Sequence, residues 1–482
     1  MKFMIEFHLL HLALLFGLVA LTCGCSERAG SMSNSVKSQQ TSEVVAAVSK
    51  DRDTAVRRGT HYSLPLGTKE TKVTAERIGI PDFPGTFAIW GGSGRCDDGK
   101  ILLGISTVWT EAAQQPSAHA YMLEPATQNL AFVGDVVSVL KSKGQIHEAT
   151  LRLGAGGIVA DDQPGEPTLC RESQMKIHSK FVTMDDGWTY FTSMDEWNEK
   201  EDGSQLPHWG SHLWRLNANN PQQWEHLKAV PEALVAISGV GRYVFALGYF
   251  NHVVYRYDTV GGDWKRVEVG APGGHISRNL VSNDAGHVFV PRVQGATAKD
   301  PSTAPQAELV EFDADLNELQ RTTLAHYPIT ADTGSHGITG FAYLANSDIV
   351  MLTSSGFLYR IKRDPNDESM VKPSLVEEIG WLEGNSESYA ASLFPIDGDR
   401  LLGAAVVNSD VSTMRWVSYD LSTKVSISVP LVISNPPDHG MIKIMLYGSN
   451  TRDDQGRCYV VGAYRTADGA RQFPLCLQVS LD

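Results

Sequence analysis

From about Lys72 onward, apolar and polar residues alternate in short runs, and few stretches keep the spacing of an amphipathic helix. Period-two alternation puts successive side chains on opposite faces of a strand. Residues 175–217 (MKIHSKFVTMDDGWTYFTSMDEWNEKEDGSQLPHWGSHLWRLN) show the pattern most fully. Three strands are predicted there, over 177–184, 188–193 and 211–216. Asp185-Asp186-Gly187 forms the tight turn between the first two, because Asp and Gly supply the backbone conformations a short hairpin needs.

The same grammar returns along the chain. Turn signals recur at 97–99 (DDG), 283–286 (NDAG), 397–399 (DGD) and 453–456 (DDQG). Strands of one pattern recur at 120–124 (AYMLE), 213–217 (LWRLN), 254–258 (VYRYD), 309–313 (LVEFD), 358–362 (LYRIK) and 416–420 (WVSYD). A repeat of roughly 40–50 residues with four strands each predicts an all-β fold, the β-propeller. Units begin near Gly85, Met175, Leu234, His275, Gly337, Tyr389 and Ile442, about seven four-stranded blades across residues 72–482. The last unit has only three strands, and a strand at 73–80 is left over. The ring is expected to close by that N-terminal strand joining the last blade, which leaves no free sheet edge. Residues 138–174 are a long insertion between the first two blades. Residues 195–209, acidic and aromatic, form a second insertion, expected to be exposed and to overhang the entry face.

The chain before the propeller reads differently. Residues 1–25 have one lysine, a long apolar run and then small residues, as in a signal peptide, and Gly24-Cys25 matches the end of a lipobox. Cys25 is therefore the expected lipidation site, with plain secretion as the alternative. Residues 26–71, rich in Ser, Gln, Thr and charge, read as a flexible tether. The mature chain is expected to be extracytoplasmic and monomeric, touching a membrane only through its lipid anchor. A net charge of -14 argues against a nucleic-acid partner. In an oxidising compartment, Cys458 with Cys476 and Cys96 with Cys170 could form two disulfides; four buried free thiols are the equal alternative.

Candidate chemistry lies in histidines that recur at one position of the repeat. His178, His275, His336 and His439 each fall at or just before the first strand of a blade, which lines the central channel. Imidazole binds divalent metals and exchanges protons near neutral pH. His275, His336 and His439 are the candidate metal ligands. His178 and His275 are candidate acid–base groups, and Lys180 and Arg278 are candidates to neutralise a substrate carboxylate. His147, His208 and His212 are expected to join from loops. The competing reading is that each imidazole only satisfies a buried hydrogen bond. Nucleophile-elbow, phosphate-loop and dinucleotide motifs are absent, and Gly91-Gly92-Ser93-Gly94 reads as a bend within the first blade.

The blade grammar and the inner-strand histidines resemble bacterial secreted seven-bladed propellers, with oligogalacturonate lyases and streptogramin lyases as mechanistic models. In the former, the resemblance implies propeller histidines holding a metal while a proton is taken from the carbon beside a uronate carboxylate. It concerns the fold of residues 72–482 and carries over no catalytic residue. Two functions follow as expectations. One is a carbon–oxygen lyase acting on an acidic saccharide, with a divalent metal of unspecified identity. The other is a lipid-anchored, non-catalytic propeller that binds a glycan or a protein partner.

Overall fold

The computed structural model describes residues 73–481, apart from 111–114, 155–156, 159–164, 201–203, 250, 272–274, 295–305, 330–335, 363–371, 385–387, 468 and 470. The signal segment, Cys25 and the tether lie outside the described residues.

Among the described residues, seven four-stranded antiparallel units follow one another as blades of a propeller. The first runs from Thr86–Ala88 through Ile101–Thr107 and His119–Glu124 to Asn129–Asp135. Its inner strand is broken, with Ser93–Arg95 pairing further along Ile101–Thr107. The second blade spans Val182–Thr183, Trp188–Met194, Ser211–Asn217 and Asn220–Val230. The third blade begins at Leu234–Val240, the fourth at Val281–Ser282, the fifth at Ile338–Tyr343 and the sixth at Phe394–Asp397. The seventh supplies Lys443–Arg452, Cys458–Arg465 and Gln472–Ser480 and is completed by Val73–Arg77 from the other end of the chain.

That N-terminal strand has two partners. It pairs antiparallel with Gln472–Ser480, Ala75 opposite Val479, and parallel with Val425–Ile433 of the sixth blade, Ala75 opposite Ile433. The outer edges of blades six and seven are thereby joined in one sheet.

Alternation explains why the blades pack as a ring. Leu102 faces Ile177 and Phe191 of blade two, whereas Leu103 faces Tyr459 and Cys476 of blade seven. Neighbours on one strand thus serve two different cores. Seven buried clusters lie at the seven blade-to-blade interfaces; Phe394 and Trp416 against Leu446 and Leu475 form the largest.

The cysteines do not bridge. Cys96, Cys170, Cys458 and Cys476 are all free thiols. Cys458 lies opposite Val479 and Cys476 opposite Val461. That odd offset puts the two sulfurs on opposite faces of the blade, one in each flanking core.

The stretch between blades one and two folds into a short helix, Val136–Ser142, and a small sheet of Glu148–Gly154, Gly157–Ile158 and Glu166–Arg171. Asp135 caps the helix by accepting from the Ser138 amide at 2.9 Å.

Candidate functional site

His178 sits on the segment entering blade two's inner strand, and Arg278 and His336 on those entering blades four and five. Backbone pairing fixes the last two relative to each other, because the Arg278 amide donates to the His336 carbonyl at 3.1 Å. Gly337 makes this close approach possible. Its φ is +56°, and a Cβ there would stand 2.4 Å from the Tyr327 hydroxyl and 2.8 Å from Ser277 Cα.

The Arg278 guanidinium donates from Nη1 to His178 Nε2 and from Nη2 to His336 Nε2, each at 3.1 Å. Arginine can only donate, so both Nε2 atoms must be unprotonated. The His178 Nδ1 then carries the proton and donates to the Val235 carbonyl at 3.0 Å. His178 is thus a neutral imidazole with both nitrogens engaged. Burial first, and then the Arg278 charge, hold it well below the usual histidine range.

Aromatic rings enclose this bridge. The Arg278 guanidinium carbon lies 4.4 Å from the centre of the Tyr447 ring, a cation–π contact. Trp90 meets Tyr447 edge-on at 4.2 Å, and Tyr389 approaches His336 at 5.9 Å. Among the described residues no Asp or Glu forms an ion pair with Arg278. Lys176 is paired with Glu196 and lies 5.2 Å from the Trp90 ring.

The other candidates go elsewhere. His275 is buried, its Nε2 3.0 Å from the Tyr327 hydroxyl and its ring 5.2 Å from that of His252. Burial and the neighbouring His252 depress it well below the usual range. His439 is exposed and lies 5.4 Å from the Phe473 ring on blade seven, away from the axial bridge. The expected metal set of His275, His336 and His439 is therefore not assembled. The segment carrying His439 precedes its inner strand on the surface, and His336 Nε2 is occupied by Arg278. Among the described residues no group of three or more His, Cys, Asp or Glu side chains is placed to hold a metal ion.

Lys180, two residues beyond His178, is buried. Its ammonium donates to the Gly448 carbonyl at 2.6 Å and lies 5.5 Å from the Phe341 ring, beside a cavity of about 190 Å³. Burial lowers it to about 7. His147 and His212 meet under the insertion and not at the axis. The His212 Nε2 lies 2.5 Å from Glu172 Oε1, its Nδ1 2.8 Å from His226 Nε2, and His147 Nδ1 3.7 Å from Glu172 Oε2. His208 packs edge-on against Trp209 at 4.3 Å.

The 195–209 segment is less exposed than its composition suggested. Asp195 is fully buried, accepts from Ser173 at 2.7 Å and is raised to about 7 by burial. Glu199 is also raised, by burial and then by Glu196, and accepts from the Tyr249 hydroxyl. Trp197 bridges Trp109 and Trp209, at 6.3 and 6.4 Å. The sequence reading missed Trp90, Tyr389 and Tyr447. Each precedes or lies within an inner strand, and that placement was the available signal.

No protein-family model matches the chain, and no curated protein matches it. Solved structures match at the level of the fold only. Virginiamycin B lyase from Staphylococcus aureus, in a catalytically inactive form with quinupristin, is 9% identical over 84% of this chain and 99% of its own, with a TM-score of 0.42. Kuenenia stuttgartiensis hydrazine synthase is 10% identical over 84% and 98%, with a TM-score of 0.44. The RRP9 WD40 repeats are 10% identical over 84% and 96%, with a TM-score of 0.42. The chain is a β-propeller, similar in fold to these proteins and to streptogramin-type lyases among them.

Proposed function

We propose that the protein is a binding propeller whose axial mouth takes an acidic saccharide through Arg278. The observation that carries this reading is a guanidinium braced by two neutral imidazoles and a tyrosine face, with no carboxylate ion-paired to it among the described residues. A cation held by neutral acceptors keeps its charge available for an incoming anion, and its remaining N–H groups match a planar carboxylate. The flanking Trp90, Tyr389 and Tyr447 rings offer apolar faces to the sugar. Binding is favoured over cleavage because the Nε2 lone pairs of His178 and His336 are both engaged by Arg278 and are not free to take a proton.

Titration calorimetry with uronate oligomers tests this. The protein should bind them with a salt-sensitive affinity, and Arg278→Gln should weaken binding about 10–100-fold, the range expected for a lost charge-assisted contact. No binding by any uronate oligomer, or unchanged binding by R278Q, sinks the reading.

A lyase remains the second reading, favoured by one observation. Lys180 is an amine brought to about 7 by burial, two residues from His178 on the segment entering blade two's inner strand. A neutral amine is a competent base for the proton beside a carboxylate held by Arg278. Unsaturated products from uronate oligomers, lost in Lys180→Met, would establish that chemistry. On either reading the chain works outside the cytoplasm, tethered by lipid at Cys25. Metabolic labelling with a fatty acid, abolished by Cys25→Ala, is the expected result.

A further inference from the structure

A second cleft opens on the same end of the propeller, between blades seven and one. It holds about 560 Å³ and is lined by Asp82, Phe83, Thr86, Phe87, Arg471 and Gln472, among others. That volume is within the range of small-molecule sites. Its floor carries an anomaly. Gln472 is 4% exposed, and neither its Nε2 nor its Oε1 has a hydrogen-bond partner. A buried amide with both polar atoms unpaired is costly and rare in a folded protein. At the lip, Arg471 forms a two-pronged ion pair with Asp82, Nη1 to Oδ2 at 2.8 Å, and both side chains are substantially exposed. Phe83 stacks on His119 at 3.8 Å, and Phe87 tilts toward Trp90 at 5.8 Å.

We infer that this cleft is a binding subsite for a neutral, hydroxylated ring such as a hexose unit. Three features select that class. The amide, the carboxylate and the guanidinium offer donors and acceptors side by side, which suits neighbouring hydroxyls that each donate and accept. The two phenyl rings supply flat apolar walls for the C–H face of a sugar. The Asp82–Arg471 pair is already neutral as a unit, so the cleft has no net charge to reward an anion. The Gln472 amide is closed off from bulk solvent. A ligand therefore reaches it by rotating the exposed Arg471–Asp82 lip, and the unpaired amide gains partners on binding. Phe87, Trp90 and Tyr447 form a continuous aromatic path from this cleft to Arg278. One oligosaccharide with a neutral and an acidic unit could therefore span both. The two sites share no charged residue, so either can bind without the other.

The test is saturation-transfer NMR and calorimetry on the purified protein, with neutral gluco-, galacto- and manno-oligosaccharides and an uncharged alanine tetrapeptide as probes. Gln472→Leu and Arg278→Gln are the variants. At least one neutral oligosaccharide should bind, weakened tenfold or more by Q472L and within twofold of wild type in R278Q. The unfolding midpoint of Q472L should be unchanged or higher, because an unpaired amide has been removed. Four results overturn the proposal: no neutral oligosaccharide binds, Q472L binds as wild type, only the peptide binds, or the Q472L midpoint falls. The last would mean that an internal partner, such as trapped water, satisfies the amide.

Discussion

Lys180 shows how a single buried charge makes itself measurable. Its amine is lowered from 10.5 to about 7 by burial. Below pH 7 the group is charged in both the folded and the unfolded chain, and the fold bears the full cost of burying it. Between pH 7 and 10.5 the unfolded chain holds a proton that the folded chain has released, so this group makes stability rise with pH. The slope is at most about 1.4 kcal/mol per pH unit. Denaturant titrations across that window should show the rise in wild type and lose this contribution in Lys180→Met. The variant should also gain roughly 1–3 kcal/mol at pH 7, once the lost bond to the Gly448 carbonyl is counted. The thiols carry a related prediction. Cys96, Cys458 and Cys476 are each raised to about 12 by burial. All three should resist a thiol-specific reagent in the native protein and react fully in denaturant.

Elements pack here through residues that have no side chain to spare. On the broken inner strand of blade one, a Cβ at Gly94 would stand 2.0 Å from the Phe181 carbonyl oxygen. Gly94→Ala should cost about 3 kcal/mol or more, seen as a lower denaturant midpoint, because the obstruction is backbone and cannot rotate away. The run Gly91-Gly92-Ser93-Gly94 was legible as a bend, but its role in blade contact was not. That role depends on which strand lies next to it in space. The same limit explains the site. Strand alternation and turn residues revealed the blades and the closing strand, since both are local signals. The position of His178, Arg278 and His336 on inner-strand segments was legible as well. Their assembly into one cationic bridge was not, because it joins residues of three blades. His439 shared the sequence position but not the environment. Buried His178 and exposed His439 both stand four residues before an inner strand, Val182–Thr183 and Lys443–Arg452, so distance along the chain does not separate the two environments. Strand adjacency leaves a Cys458–Cys476 bridge and free thiols equally open; the register, which decides the face, needs the structure.

At the scale of the whole molecule, pH and ring closure govern stability. His178 and His275 are held well below 6.5, and His226 and His252 are lowered to about 4. Between pH 6.5 and 4 these groups stay neutral in the fold and take protons when it unfolds, so stability falls as pH falls. Asp195 and Glu199 act in the opposite sense, being protonated in the fold at pH values where the unfolded chain ionises them. The histidines outnumber them, and a net loss of about 1.4 kcal/mol per pH unit or more is expected below pH 6.5. Chemical denaturation at pH 7, 6 and 5 measures it. Ring closure makes a second whole-molecule prediction. Ala75 is fully buried, and its carbonyl accepts from the Ser434 amide at 2.9 Å. Ala75→Pro keeps that carbonyl but removes the amide hydrogen and adds a ring to a buried strand paired on both sides, and should cost ~3 kcal/mol or more. Because the closing strand is shared by two blades, calorimetry should show one transition moved down in temperature, not a separate early one. That shared strand also sets an order of events on the ribosome. Val73–Arg77 is made first, yet its antiparallel partner Gln472–Ser480 emerges about 400 residues later. At about 5–20 residues per second, this leaves it waiting roughly 20–80 s. The circle is sealed by a strand that emerges long after its partner, so a nascent polypeptide stalled or cut short before Gln472–Ser480 carries six four-stranded blades, a two-stranded seventh and no closed ring.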